Sequence, residues 1–350
     1  MSEVLPLLER LVAARSPSRE EGPVVAVFEG WAAAHGVAVR GVGQNRIVVR
    51  TGPAEGPTLL LLSHYDTVPA TAEWTRPPWT PTREGERLYG LGANDAKGCL
   101  AAMMCAFVAA ELPRGRLILV AAAEEETGRN GFETVLPELP RIDGAIVGEP
   151  TGLDLATAQN GLLVLDCVAK GRAGHAARPH LAENAVYLMA RDITAVEDLR
   201  LDRVHPLAGP TTHTVTMAHA GERHNVIPGE ARWTIDLRTT DAYAPVELTE
   251  LIRTRVRSEV QVRSDRFHAV STPPDSRVLA AAKRARPEAR EFASPTLSDW
   301  AHLHGVPAVK WGPGRSEVSH TADEWVEVSM VEAAVGAYTA AIEAFYAEEG

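Results

Sequence analysis

Apolar residues recur at helical spacing over about residues 3–14 and 22–35, with charged positions between them. This period predicts two helices, the first of them amphipathic. Short apolar strands follow in "GVAVRGV" and "RIVVRTG", and an uninterrupted run at 58–63 reads as a strand buried on both faces. A Pro/Trp-rich loop, "TAEWTRPPWTPTREGERLYGLG", leads into an apolar helix over "GCLAAMMCAFVAAEL". Strands in "RLILVAAAEEE" and "GAIVGEP" come next. Strands alternating with helical segments predict an α/β fold with a mixed, largely parallel sheet.

The pattern changes between 161 and 271. "GLLVLDCVAKGRAG" is a strand entering a glycine turn, "ENAVYLMARDITAVEDL" a helix, and "THTVTMAHAGE" and "EARWTIDLRTT" strands. "APVELTELIRTRVRSEV" reads as a helix with acids first and arginines last, which suits its dipole. Strand, helix, strand, strand, helix, strand is an α+β plan of ordinary domain size. From 272 the chain returns to the α/β style and closes on the helical stretch "VSMVEAAVGAYTAAIEAFY". The expected organisation is one domain made of 1–160 and 272–350, with a smaller domain, 161–271, inserted into it.

Composition narrows the class. Of 350 residues, 45% are hydrophobic and 23% charged, as in ordinary globular proteins. Lys and Arg total 35 against 46 Asp and Glu, a formal charge of −11. Nucleic acid and anionic membranes are therefore poor partners, since both need a basic face. No stretch approaches 18 uncharged apolar residues, the least that spans a bilayer, and the amphipathic N-terminus does not read as a signal peptide. The 3 cysteines, Cys99, Cys105 and Cys167, form no C-x-x-C pair. That suits a reducing cytoplasm, the expected location; Cys99 and Cys105 fall in an apolar helix pattern and read as core.

Chemistry gathers at predicted strand ends, where open α/β sheets bind ligands. The stretch "LLLLSHYDTVP" delivers His64 and Asp66, two positions apart and so on one face of a strand. Glu124, Glu125 and Glu126 follow "LILVAAA", and Glu149 follows "AIVG". Asp95 lies in the glycine-rich "YGLGANDAKG", and His320 in "SEVSHTADEW". Each alone has an ordinary reading as surface charge or helix cap. Together they form an imidazole and carboxylate set without thiolate, suited to zinc, cobalt or manganese.

"LLLLSHYDTVP", "YGLGANDAKG", "AAAEEETG", "VGEPT", "GRAGHAARP", "HNVIPGEA" and "SEVSHTADEW" occur in this order along the chain. The set resembles the M20 family of metallopeptidases and deacylases over essentially the whole length. "LVLDCVAKGRAGHAARP", "SPTLSDW" and "KWGPGRSEVSHTADEW" are most similar to its acetylornithine and succinylornithine deacetylase branch. The resemblance implies a zinc-hydrolase catalytic domain and an inserted lid that dimerises. It implies two Zn²⁺, with Co²⁺ or Mn²⁺ able to substitute: His64 and Glu149 on one, Glu126 and His320 on the other, Asp95 bridging. Asp66 would orient His64. Glu125 would be the general base, its side chain pointing away from that of Glu126 in an extended segment, and Glu124 the spare.

His175, which alone reads as a turn residue after glycine, would donate to the oxyanion in the other subunit of a homodimer. Asn225 and Arg238 would grip substrate, Arg238 by its planar fork, though an exposed strand charge is its plain reading. Thr296, Ser298, Asp299, Gly312 and Gly314 would line the pocket. The implied reaction removes the Nα-acyl group of a basic amino acid, N-acetyl-L-ornithine foremost, in arginine biosynthesis. Release of lysine or ornithine from an acidic amino-group carrier protein in lysine biosynthesis, deacylation of N-succinylornithine or N-acetyl-lysine, and dipeptidase or aminoacylase activity are the alternatives.

Overall fold

Leu59, Leu60, Leu61 and Leu62 are wholly shielded from solvent, as the unbroken apolar run requires of a strand covered on both faces. They lie in the strand Ala54–His64, which pairs in parallel with Arg114–Ala122 on one side and Gly144–Val147 on the other. In the computed structural model, which describes residues 3–347, the sheet runs in the order Val39–Val42, Asn45–Thr51, Arg114–Ala122, Ala54–His64, Gly144–Val147, Ala308–Lys310, Leu155–Gln159. Its first pairings are antiparallel and its centre parallel. Truncating one of the four leucines to Ala costs about 2–5 kcal/mol.

Two compact units are present. The first holds the chain up to Thr157, Ser271–Phe292 and the residues from Ser298 on. Helices Val4–Ala13, Gly98–Ala109, Arg277–Ala285 and Val328–Tyr346 join its core. Val328–Tyr346 is, by length and composition, the one helix among the described residues able to cross a membrane. Its Val331, Ala334, Tyr338, Ile342 and Phe345 are instead buried in this core.

The second unit holds Ala158–Val270 with Ala293–Leu297. Its main sheet is antiparallel, ordered Thr212–Ala220, Glu230–Thr239, Gly161–Lys170, Glu259–Phe267. Burial alternates along Gly161–Lys170, and Leu163, Leu165 and Cys167 meet Leu188, Leu248 and Ile252 of helices Ala185–Glu197 and Pro245–Arg253. The helix expected over 244–260 stops at Arg253, because Glu259 already begins a strand paired with Val168. Cys99 and Cys105 are buried, as expected.

A second departure touches the chemistry. The strand Arg114–Ala122 ends before the glutamates. Glu124 takes a left-handed backbone (φ 53°), and Glu125–Thr127 forms a 3-10 turn. The triplet is not extended.

Candidate metal centre

Register brings the expected ligands to one sheet edge. His64 pairs with Ala122 and Leu62 with Val147, so His64, the glutamate turn and Glu149 leave adjacent parallel strands at their carboxyl ends. Gly312 lies against the last of these. A Cβ there would stand 2.7 Å from the Glu149 carbonyl oxygen and 2.6 Å from Cys99 Sγ, so only glycine permits the approach.

His64 Nε2 is 3.3 Å from Asp95 Oδ1 and 3.9 Å from Glu149 Oε1. His320 Nε2 is 2.9 Å from Glu126 Oε1 and 3.8 Å from Asp95 Oδ2. Two donor sets result, His64–Asp95–Glu149 and Asp95–Glu126–His320, each with its donor atoms within 4.8 Å of one another. Asp95 belongs to both and offers a different oxygen to each. His320 reaches its place from a left-handed backbone (φ 60°), an uncommon conformation for a side-chain-bearing residue that recurs at functional sites.

Divalent cations fit these sets. The donors are imidazole nitrogen and carboxylate oxygen, and like-charged groups crowd together with little solvent. Burial, then Asp95, pushes Glu149 up to about 7, against the pull of Lys310. Burial, with Glu149, Asp299 and Glu126 as neighbours, raises Glu125 well above the usual carboxylate range. Burial opposes charge on Asp95, yet hydrogen bonds from His64 and Ser319 lower its pKa. Such a cluster of carboxylates needs positive charge to stay ionised.

The supports come from elsewhere in the chain. Asp66, fully buried, sets Oδ1 3.4 Å from His64 Nδ1 and accepts the Ser18 hydroxyl at 2.6 Å. It also accepts the backbone N–H groups of Glu125 and Glu126, at 3.1 and 3.2 Å. Glu324 Oε1 accepts those of Asn94 (2.8 Å) and Asp95 (3.0 Å). Asn94 Nδ2 donates to Ser319 Oγ and to the Arg315 carbonyl, both at 3.1 Å, tying the Asp95 loop to the one that carries His320. Lys97, fully buried, has its pKa brought to about 7 by burial, with Glu324 and Asp66 opposing. Sequence reading missed Ser18, Glu21, Asn94, Lys97, Ser319 and Glu324.

Other expected residues are placed as follows. Ser298 and Asp299 are buried in the first unit; burial raises Asp299, and His64, Asp66 and Glu149 lie within its electrostatic reach. In the second unit, His175 and Asn225 adjoin: Gly174–His175 pairs with Val226–Ile227, and the Ala176 N–H donates to the Asn225 carbonyl at 3.0 Å. His175 is exposed, its Nδ1 accepting the Ala177 N–H at 3.0 Å. The exposed guanidinium of Arg238 is paired with Asp236 at 2.9 Å. Thr296, also exposed, shares a hydrogen bond with Ser294 at 3.0 Å.

The sequence profile of peptidase family M20/M25/M40 matches residues 60–344. The chain belongs to the M20 family. It is similar to acetylornithine deacetylase of Myxococcus xanthus, 32% identical over 81% of this chain and 79% of the relative. It is similar to succinyl-diaminopimelate desuccinylase of Leptothrix cholodnii, 33% identical over 71% of this chain and 72% of that one. Among solved structures, aminopeptidase PepT of Bacillus cereus superposes with TM-score 0.78 at 19% identity, covering 98% of both chains. An M20 dinuclear metal-binding peptidase of Bacillus subtilis gives 0.74 at 17% identity, covering 97% of both. These two share the fold. As an M20 member the protein is a metallo-hydrolase, and the two donor sets that share Asp95 are candidate metal sites.

Proposed function

We propose that the protein is a dinuclear, zinc-dependent deacylase that frees a basic amino acid from its Nα-acyl group, with N-acetyl-L-ornithine as substrate and ornithine and acetate as products. The observation that carries the reading is the pair of donor sets sharing Asp95, with Glu125 beside the ligand Glu126. The acetylornithine deacetylase relative supports the substrate.

His64 and Glu149 would hold one cation, Glu126 and His320 the other, and Asp95 both. When bound, the cations supply acidification of a water and polarisation of the amide carbonyl. Glu125 takes the proton from that water at its carboxylate as oxygen attacks the carbonyl carbon. It returns the proton to the amide nitrogen as the C–N bond breaks, so the amine leaves neutral. The raised pKa of Glu125 suits a group that must hold a proton between these two transfers. Asp66 fixes the His64 ring. The family resemblance assigns the oxyanion donor to His175 and substrate binding to Asn225, Arg238, Thr296, Ser298 and Gly312. It also assigns a cytoplasmic homodimer; the edge strand Thr212–Ala220, with Met217 exposed at 45%, supports the dimer.

A second reading, removal of succinyl from N-succinyl-diaminopimelate, is favoured by the desuccinylase relatives. The test is amine release by zinc-loaded protein from N-acetylornithine, N-succinylornithine and N-succinyl-diaminopimelate side by side. Fast release from acetylornithine upholds the first reading, release from the diaminopimelate compound alone selects the second, and no release from any of the three refutes both.

A further inference from the structure

The glutamate turn is seated on carboxylates from two other segments. The N–H of Glu124 donates to Glu21 Oε1 at 3.2 Å, that of Glu125 to Asp66 Oδ1 at 3.1 Å, and that of Glu126 to Asp66 Oδ2 at 3.2 Å. Left-handed Glu124 followed by the 3-10 turn aims successive N–H groups into one concavity of the kind that binds anions. Here the anionic groups are side chains of the protein itself.

The segment 16–21, "SPSREE", is built onto the same place. It lies beside the residues that follow His64: Thr67 N donates to the Ser16 carbonyl at 2.9 Å, Ser18 N to the Thr67 carbonyl at 3.1 Å, and Ser16 Oγ to the Tyr65 carbonyl at 2.8 Å. Ser18 Oγ donates to the same Asp66 oxygen that receives the Glu126 N–H. Glu21 is wholly buried, and its Oε1 also accepts the Arg19 N–H at 2.8 Å. Arg19 Nε reaches the Glu124 carboxylate at 3.3 Å, so this short segment grips Glu124 by backbone and side chain together.

We infer that Ser18 and Glu21 are positioning residues for the Glu125–Glu126 pair: with Asp66 they set the turn that aims Glu125 at the reacting water and Glu126 at the metal site. The roles of that pair rest on the proposed function; the seat itself rests on geometry. A carboxylate ligand displaced by a fraction of an ångström weakens metal binding, and supports of this sort are worth 10–100-fold in affinity or activity.

The experiment uses the full chain and its Glu21→Ala, Glu21→Gln and Ser18→Ala variants. Zinc is titrated calorimetrically, the cobalt-loaded absorption spectrum is recorded, and kcat and KM are measured on whichever N-acyl substrate the parent cleaves. Glu21→Ala and Ser18→Ala should weaken one of two zinc equivalents by about 10–100-fold, alter the cobalt bands and lower kcat by a similar factor. KM should stay within about twofold of the parent, a split that general loosening of the fold does not give. Glu21→Gln keeps an acceptor oxygen and should recover kcat to within about threefold of the parent, since what the Glu124 N–H needs is an acceptor. A folded Glu21→Ala protein with parental zinc affinities and kcat, or no recovery in Glu21→Gln, overturns the inference. If Glu21→Ala does not fold, Ser18→Ala decides by the same criteria. If the parent cleaves no N-acyl amino acid, the proposed function falls, while zinc affinity and the cobalt spectrum still decide the seat.

Discussion

The buried carboxylate of Glu324 accepts the backbone N–H of Asp95 at 3.0 Å, across 229 positions of sequence. The same oxygen takes the N–H of Asn94 at 2.8 Å. Glu324→Ala strands two buried donors, each costing about 1–3 kcal/mol. Unfolding by urea should therefore show a loss of about 2–6 kcal/mol, with a smaller loss for Glu324→Gln, which keeps an acceptor. A parental midpoint in the alanine variant would remove Glu324 from the support of Asp95.

Glu125→Gln tests the base while leaving the ligands in place. The expected outcome is unchanged metal content and a kcat lower by about 10²–10⁴-fold. Metal analysis and steady-state kinetics on one preparation read both; a kcat near the parent's would transfer the role of base to another group.

His320 contributes to one donor set only, and its side chain is 52% exposed, so its removal spares the core. His320→Ala should retain one tightly bound zinc, on His64, Asp95 and Glu149, and lose the other. Equilibrium dialysis still giving two tight equivalents per chain would break the assignment.

Acidity should govern metal loading. The hydrogen bond to Glu126 raises His320 to about 9, so metal-free protein at neutral pH carries a proton there that a cation must displace. Affinity should climb as pH rises towards 9, and calorimetry in buffers of different ionisation enthalpy should show proton release on binding. Glu149, pushed up to about 7 by burial, adds to the release at lower pH. In metal-free protein the His320–Glu126 pair has the opposite trend. Its contribution to stability is complete below the unfolded histidine value of about 6.5 and is lost as pH passes through about 9.

His64, Asp95, Glu126, Glu149 and His320 were legible because each sits in a short motif whose composition is odd for its place: a polar pair ending a leucine strand, an acid in a glycine loop. The terminal helix was legible to the residue, Val328–Tyr346, from its apolar period. Ser18, Glu21 and Glu324 were not. Glu21 and Glu324 accept from backbone N–H groups 103 and 230 positions away, and Ser18 donates to a carboxylate 48 positions away; such contacts leave no local periodicity. The glutamate triplet was read as extended because nothing in three identical residues announces a left-handed first member. The pairing of Arg238 with Asp236 was open to inspection, since residues two apart share a strand face.

The strand Ala308–Lys310 lies between Gly144–Val147 and Leu155–Gln159, both of which precede it by some 150 residues. A chain emerging from the ribosome thus makes the two banks of this sheet long before the strand that bridges them. Until residue 310 arrives, Gly144–Val147 and Leu155–Gln159 face each other across an empty slot, two apolar edges open to mispairing. His320 follows ten residues after this strand, so the last member of the two donor sets is added to the chain only after the strand that completes the sheet.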